Sequence, residues 1–153
     1  MSSDAEAAVV DASVAVKWHL TDEEDADKAA DLLAQFVRGQ IVLVAPDQIR
    51  YEVPSAIAAA TLGRRPRLTP GQGRDAVEEF LALGVRTIGD QELILAAYSL
   101  VHQYGCAFYD ALYLALAQRL QLSLVTADRK LYQRVGYLPE VVWVGDYGRV
   151  TTD

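Results

Sequence analysis

The sequence predicts an α/β protein, a three-layer α/β/α sandwich around a mostly parallel sheet of about five strands. Three observations carry this reading. Short apolar runs recur along the chain, beginning near Ala7, Ile41, Val85, Leu122 and Val141. Segments with helical periodicity lie between them, and that alternation marks βαβ units. At 153 residues with 52% hydrophobic and 23% charged side chains, the chain can bury a core without disulfides or metal staples. There is no internal repeat, low-complexity tract or long linker, so one domain over residues 1–153 is expected, with its core at about 8–145.

Ala7-Ala-Val-Val10 reads as the first strand, and Val14 to Leu20 as a short helical segment. Thr21-Asp-Glu-Glu24 has the form of a capping box for a helix that runs to about Val37. Ala26, Ala29, Ala30, Leu33, Phe36 and Val37 share its apolar face, and Gly39 stops it. Ile41-Val-Leu-Val44 is apolar throughout, as a strand covered on both faces should be. Pro46-Asp47 opens a helix that reaches Leu62-Gly63, and Pro54 inside it should kink it or reset its start. Thr69-Pro70-Gly-Gln72 begins the next helix, which ends near Gly84. Val85-Arg-Thr-Ile88 is a strand, and Asp90 caps a helix that Gly105 ends after Tyr104. Tyr109 to Gln121 is apolar nearly all round and should be central and buried. Leu122-Ser-Leu-Val125 is a strand, Arg129 to Val135 a helix, and Val141-Val-Trp-Val144 the last strand.

Charge and composition narrow the function. A net charge of −7 lacks the basic footprint expected of a nucleic-acid binder. Two divalent ions held by four carboxylates would bring it to −3, so the acidity equally suits a metal site facing a polyanion. Cys106 is alone, which leaves no intrachain disulfide and no Cys-based zinc site, and makes a reducing cytoplasm the simplest compartment. His19 and His102 are isolated and carry no assigned role. The longest apolar runs fall far short of the ~20 residues that span a bilayer. The acidic start, Met1 to Glu6, lacks the basic region of a signal peptide.

Parallel sheets bind ligands at the carboxyl ends of their strands, and an acid follows every strand: Asp11, Asp47, Asp90, Asp128 and Asp146. Asp47 and Asp90 read as helix caps and Asp146 as a turn residue. Asp11 is flanked by apolar residues on both sides, where a bare charge is expensive and must find a cation or several donors. Glu52 lies too far into its helix to cap, and Ala56, Ile57, Ala59 and Ala60 after it suggest that it faces the interior near the helix start. Asp110 opens the most apolar helix of the chain, where the helix dipole favours a carboxylate. Asp128 follows Leu124-Val-Thr-Ala127, and Thr126 adds a hydroxyl at that junction. Each alone admits a cap or surface reading. Together, the topology brings Asp11, Glu52, Asp110 and Asp128 to one end of one sheet. Carboxylates so gathered repel unless cations sit among them, and all-oxygen ligands suit Mg²⁺ or Mn²⁺. Such a site can cut a phosphodiester, one ion lowering the pKa of the attacking water and another neutralising the leaving oxygen. No Ser-His or Cys-His pairing and no Gly-rich phosphate loop offers another route.

These residues resemble a known family. Val9-Val-Asp11-Ala-Ser13-Val-Ala-Val-Lys17-Trp18, Ala45-Pro-Asp-Gln-Ile-Arg-Tyr-Glu52-Val, Phe108-Tyr-Asp110-Ala-Leu-Tyr-Leu-Ala-Leu-Ala117 and Leu124-Val-Thr126-Ala-Asp128-Arg-Lys-Leu131 are similar to the motifs of the PIN domain. Within it they look most like the VapC-type toxins of prokaryotic toxin–antitoxin pairs. The resemblance implies a Mg²⁺- or Mn²⁺-dependent endoribonuclease, a homodimer, and a cognate antitoxin whose tail covers the active site. It assigns Asp11, Glu52, Asp110 and Asp128 to the acidic quartet, and Ser13 and Thr126 to hydroxyls that support the metal site. One departure is Ser55, where many relatives carry Asn three residues after the helix Glu; Pro54 stands beside it.

Other features are weighed beside that expectation. Gly63-Arg-Arg-Pro-Arg67 is the densest basic cluster; Arg64, Arg65 and Arg67, with Lys17 near Asp11, are the candidate RNA contacts, which would position RNA without reading its sequence. Asp22 to Asp25, with Asp27 and Asp31, reads as a solvated helix face. Tyr109 and Tyr113 read as core packing or a dimer seam, with base stacking as the alternative; Trp18 should pack. Two other functions stay open. One is a phosphatase or another nuclease on the same acids; the haloacid-dehalogenase type would need Asp where Ser13 stands. The other is a non-catalytic module that binds RNA or protein.

Overall fold

Five strands pair in parallel in the order β3-β2-β1-β4-β5 in this computed structural model, which describes residues 6–148. Most of the acidic start, residues 1–5, therefore lies outside the described residues. The strands are β1 (Glu6–Val10), β2 (Ile41–Pro46), β3 (Arg86–Ile88), β4 (Ser123–Thr126) and β5 (Val141–Trp143). Seven helices alternate with them: α1 (Ala12–Lys17), α2 (Ala26–Val37), α3 (Ile49–Ala60), α4 (Pro70–Ala82), α5 (Gln91–Tyr104), α6 (Phe108–Leu120) and α7 (Arg129–Val135). A 3₁₀ turn closes the described chain at Val144–Asp146. The expected α/β/α sandwich is present, and strand bounds differ from the sequence reading by a residue or so. Among the described residues, no helix is long and apolar enough to cross a membrane.

The chain runs outward from β1 through β2 to β3, then returns across the sheet to β4 beside β1. The strand order reverses between β1 and β4, and the crevice at such a reversal is where open α/β sheets bind ligands. Val9 and Val10 of β1, Leu43 and Val44 of β2 and Leu124 and Val125 of β4 are buried, as strands covered on both faces require. Helix α6 lies against β1, β2 and β4. Its residues 111–117 are all buried.

Several local expectations are corrected. Thr21-Asp-Glu-Glu24 is not a capping box. Helix α2 starts at Ala26, its N-cap Asp25 is in the left-handed region at φ 61°, and it makes no side-chain cap bond. The neighbouring acids are drawn elsewhere: Asp22 and Glu23 to Arg67, and Glu24 to Arg129. They are ion-paired rather than merely solvated. The buried face of α2 is Ala26, Ala29 and Leu32, while Ala30 and Val37 are exposed. Asp47 does not cap α3. Its N–H continues the strand pairing by donating to the Ile88 carbonyl at 3.0 Å, and Gln48 takes the N-cap position. The Asp47 carboxylate fills the space beside Gly89, where an added Cβ would stand 2.1 Å from Oδ2. Helix α3 runs through Pro54 without a break. Asp110 is not an N-cap either: Ala107 holds that position, and Asp110 stands in the first turn of α6. The expected caps do form at Asp90, Thr69 and Asp128.

Candidate active site

Asp11 leaves the end of β1 and caps α1, so sheet and helix together fix its backbone. It is 4% exposed. Its Oδ1 accepts from the Val14 N–H at 3.2 Å and from the Ser13 hydroxyl, and its Oδ2 accepts from the Thr126 hydroxyl. Ser13 and Thr126 are themselves anchored, accepting from the N–H of Ala127 at 2.9 Å and of Asp128 at 3.0 Å. Two hydroxyls thus lace the end of β1 to the turn after β4. Burial nevertheless pushes the Asp11 carboxyl up to about 7, against the pull of Ser13, Thr126 and Val14 toward the charged form; the Asp128 charge adds to the rise.

Asp128 starts α7, and its Oδ1 accepts from the N–H groups of Lys130 at 2.9 Å and Leu131 at 3.2 Å. Asp110 is half-buried in the first turn of α6; burial raises its proton affinity, and Asp128 raises it further. Glu52 lies one turn into α3. Its Oε1 accepts from the Tyr113 hydroxyl at 3.0 Å, and Gln48, one turn earlier, also bonds it. Burial first, then the Asp110 charge, raises the Glu52 carboxyl against those two donors. The phenol of Tyr113 is held far above its ordinary value by burial and by the charges of Glu52 and Asp11.

The four acids therefore form a chain of mutual repulsion: Asp11 with Asp128, Asp128 with Asp110, and Asp110 with Glu52. They come from four elements and meet where the strand order reverses. Among the described residues, no three His, Cys, Asp or Glu side chains are gathered closely enough to hold an ion as they stand. The donor set is nonetheless all oxygen and mutually repulsive, and burial raises the proton affinity of its buried member, Asp11. That chemistry fits a hard divalent ion.

A cleft of about 300 Å³ opens beside the acids, lined by Ser13, Lys17, Glu23, Glu52 and Ala127 among others. Lys17 sits in this cleft 3.4 Å from Glu23. Arg67 is paired with Asp22 and Glu23, whereas Arg64 and Arg65 are exposed in the loop between α3 and α4. Two contacts at the candidate site escaped the sequence reading. Tyr113 is core packing, as expected, at 1% exposed, and its hydroxyl also donates to Glu52. Gln48 ties the start of α3 to α6 through the Tyr109 carbonyl at 3.0 Å. Helical spacing hints at Gln48, four residues before Glu52, whereas no local signal points Tyr113 toward Glu52. Tyr109 is not core packing, being 61% exposed. Trp18 is buried as expected, its indole N–H donating to the Ala29 carbonyl.

A family model described as the PIN domain matches residues 8–136. Ribonuclease VapC12 of Mycobacterium tuberculosis, found in two strains, is 34% identical over 133 residues, covering 87% of this chain and 95% of that protein. A solved structure described as a toxin–antitoxin complex from Klebsiella pneumoniae contains a chain of similar fold. Its TM-score is 0.55 at 18% identity, over 88% of this chain and 95% of that one.

Proposed function

Because the chain belongs to the PIN-domain family, we propose that it is an endoribonuclease that depends on Mg²⁺ or Mn²⁺ and acts as the toxin of a toxin–antitoxin pair. The observation that carries this reading is the run of four mutually repelling carboxylates at the carboxyl end of a parallel sheet. The resemblance to a ribonuclease over most of the chain supports RNA as substrate. The likeness of fold to a toxin–antitoxin complex supports an antitoxin partner.

In this reading Asp11 and Asp110 hold the ion most directly, and Glu52 and Asp128 complete or tune the site. The bound ion supplies a water of lowered pKa and charge neutralisation at the leaving oxygen. The residues do the rest. Ser13 and Thr126 keep Asp11 in one orientation through two hydroxyl donors. Tyr113 and Gln48 aim Glu52. Lys17 stands at the cleft where a phosphate enters, and Arg64, Arg65 and Arg67 make up the outer phosphate contacts. The phosphodiester is cut by water in line, with no covalent intermediate on the protein.

A homodimer belongs to the same proposal, supported by Ile94, Leu95 and Tyr98, which expose apolar surface on α5. So does a cytoplasmic setting, which the lone buried Cys106 suits, and a single domain over the whole chain. The test is Mn²⁺-dependent cleavage of single-stranded RNA by purified protein. Asp11→Asn and Asp110→Asn should each abolish cleavage while leaving the circular dichroism spectrum unchanged. Undiminished cleavage by Asp11→Asn rejects the assignment.

A further inference from the structure

A second cavity, of about 550 Å³, adjoins the acid site. Glu52 and Ala56 line both this cavity and the cleft that holds Ser13 and Lys17, so the two share one wall along α3. Tyr51 and Tyr109 stand on the cavity's lining and are 77% and 61% exposed. Two aromatic rings so far out of the core bury little apolar area of their own; Tyr109 is steadied by an edge contact with Phe108, ring centroids 5.9 Å apart, and both rings stay largely exposed to a flat partner. The backbone beneath them is nonetheless tied down, because Gln48 donates to the Tyr109 carbonyl and Tyr113 donates to Glu52. Ala56 and Ala59 keep the wall between them low.

The lining chemistry selects the occupant. No Lys or Arg lines the cavity, and Glu52 faces it, so it does not suit a phosphate. The Gln48 side-chain carbonyl and the Ser55 hydroxyl can meet the polar edge of a neutral planar group. Ser55, which departs from the family pattern, is thereby given a use. Because Glu52 and Ala56 line both spaces, a base next to a phosphate held at the acids would meet this shared wall. Stacking on aromatic side chains is the general means by which unpaired bases are held.

We propose that this cavity is a nucleobase subsite, in which Tyr51 and Tyr109 stack an unpaired base of RNA next to the phosphodiester that is cut. The subsite rests on the endoribonuclease reading above and makes single-stranded RNA the substrate class. Tyr51 and Tyr109 bind substrate and set its register; they take no part in the bond-breaking step.

The test pairs protein and substrate changes. A set of short single-stranded RNAs, each with one base replaced by an abasic ribose, is measured for binding by fluorescence anisotropy and for Mn²⁺-dependent cleavage. Wild type should lose roughly tenfold in affinity at one position beside the cut and little elsewhere. Tyr51→Ala and Tyr109→Ala should bind intact RNA as weakly as wild type binds that abasic RNA, and should be indifferent to the abasic change there. Tyr51→Phe and Tyr109→Phe should restore the wild-type pattern, since the ring suffices. Equal abasic penalties in wild type and both alanine variants overturn the subsite while cleavage stands. A loss of binding that follows a fall in dimer mass on light scattering also overturns it, because the rings then serve a second copy of the chain. RNA bound with this pattern but never cut keeps the subsite and removes the nuclease reading. RNA neither bound nor cut removes both.

Discussion

Asp11 shows how one side chain couples folding to pH. Its ordinary value is 3.8, and the folded chain raises it to about 7. Between those values the folded state binds a proton that the unfolded state has released, so the metal-free protein should lose stability as pH rises from about 4 to about 7. Glu52 and Asp110, also raised, act with the same sign. Asp22, Glu24 and Asp90, lowered by arginine partners on the surface, act with the opposite sign and weakly. Thermal melts in chelator should therefore show Asp11→Asn gaining on wild type across that interval, by an amount on the order of a few kcal/mol at neutral pH. A difference that stays flat with pH would count against the raised value. Thr126→Val removes one donor that favours the charged form, so the acid limb of the cleavage profile should move to higher pH. At pH 6 the rate should drop by up to about tenfold, as initial rates across pH would reveal. Tyr113→Phe leaves Glu52 short of a donor; it should cost about 1 kcal/mol of stability and lower kcat several-fold, read from steady-state kinetics.

At the scale of elements, the α3–α4 hairpin presents Glu52, and its closeness depends on Gly73. A Cβ there would lie 2.6 Å from Thr61 Cγ2 and 3.6 Å from Ile57 Cγ2. Gly73→Val should push the two helices apart, destabilise the fold by about 1–3 kcal/mol and reduce cleavage through Glu52; urea melts and initial rates would show both. Much at this scale was legible in the sequence. Apolar runs gave the strands, and Asp90, Thr69 and Gly105 marked helix ends by local bonds, Asp90 keeping its cap while also pairing with the distant Arg119. The errors came where distant partners outbid local ones. Thr21 to Glu24 has the pattern of a cap, but Arg67 and Arg129, far along the chain, hold its acids. Asp47 has the residue type of a cap, but the Ile88 carbonyl and the space beside Gly89 take it. The candidate site was legible for a similar reason: a buried Asp inside an apolar stretch is conspicuous in one dimension. Tyr113 as an aid to Glu52 was not, because nothing within its own helix tells a packed phenol from one that reaches α3.

For the whole molecule, the net charge of −7 and the proposed metal site predict that divalent ions bind the native state alone and stabilise it. Mn²⁺ or Mg²⁺ should raise the melting temperature at neutral pH, with about 2.7 kcal/mol of added stability at a hundredfold excess over Kd. The increment should shrink toward pH 5 as the carboxylates take protons, and should be lost in Asp11→Asn; differential scanning calorimetry reads all three. One loop at the rim of the cleft, which Glu23 helps to line, bears on the same balance. The segment between α1 and α2 grips Arg67 just before α4, Arg129 at the head of α7, and Trp143, whose indole donates to Asp25 at 3.0 Å. Arg129 in turn sits 5.2 Å over the Trp143 ring. This loop works as a strut between two jaws, the hairpin bearing Glu52 and the turn bearing Asp128. The spacing of the two jaws thus draws on charges outside the acid quartet, and substituting Asp22 or Glu24 should slacken it while leaving all four teeth in place.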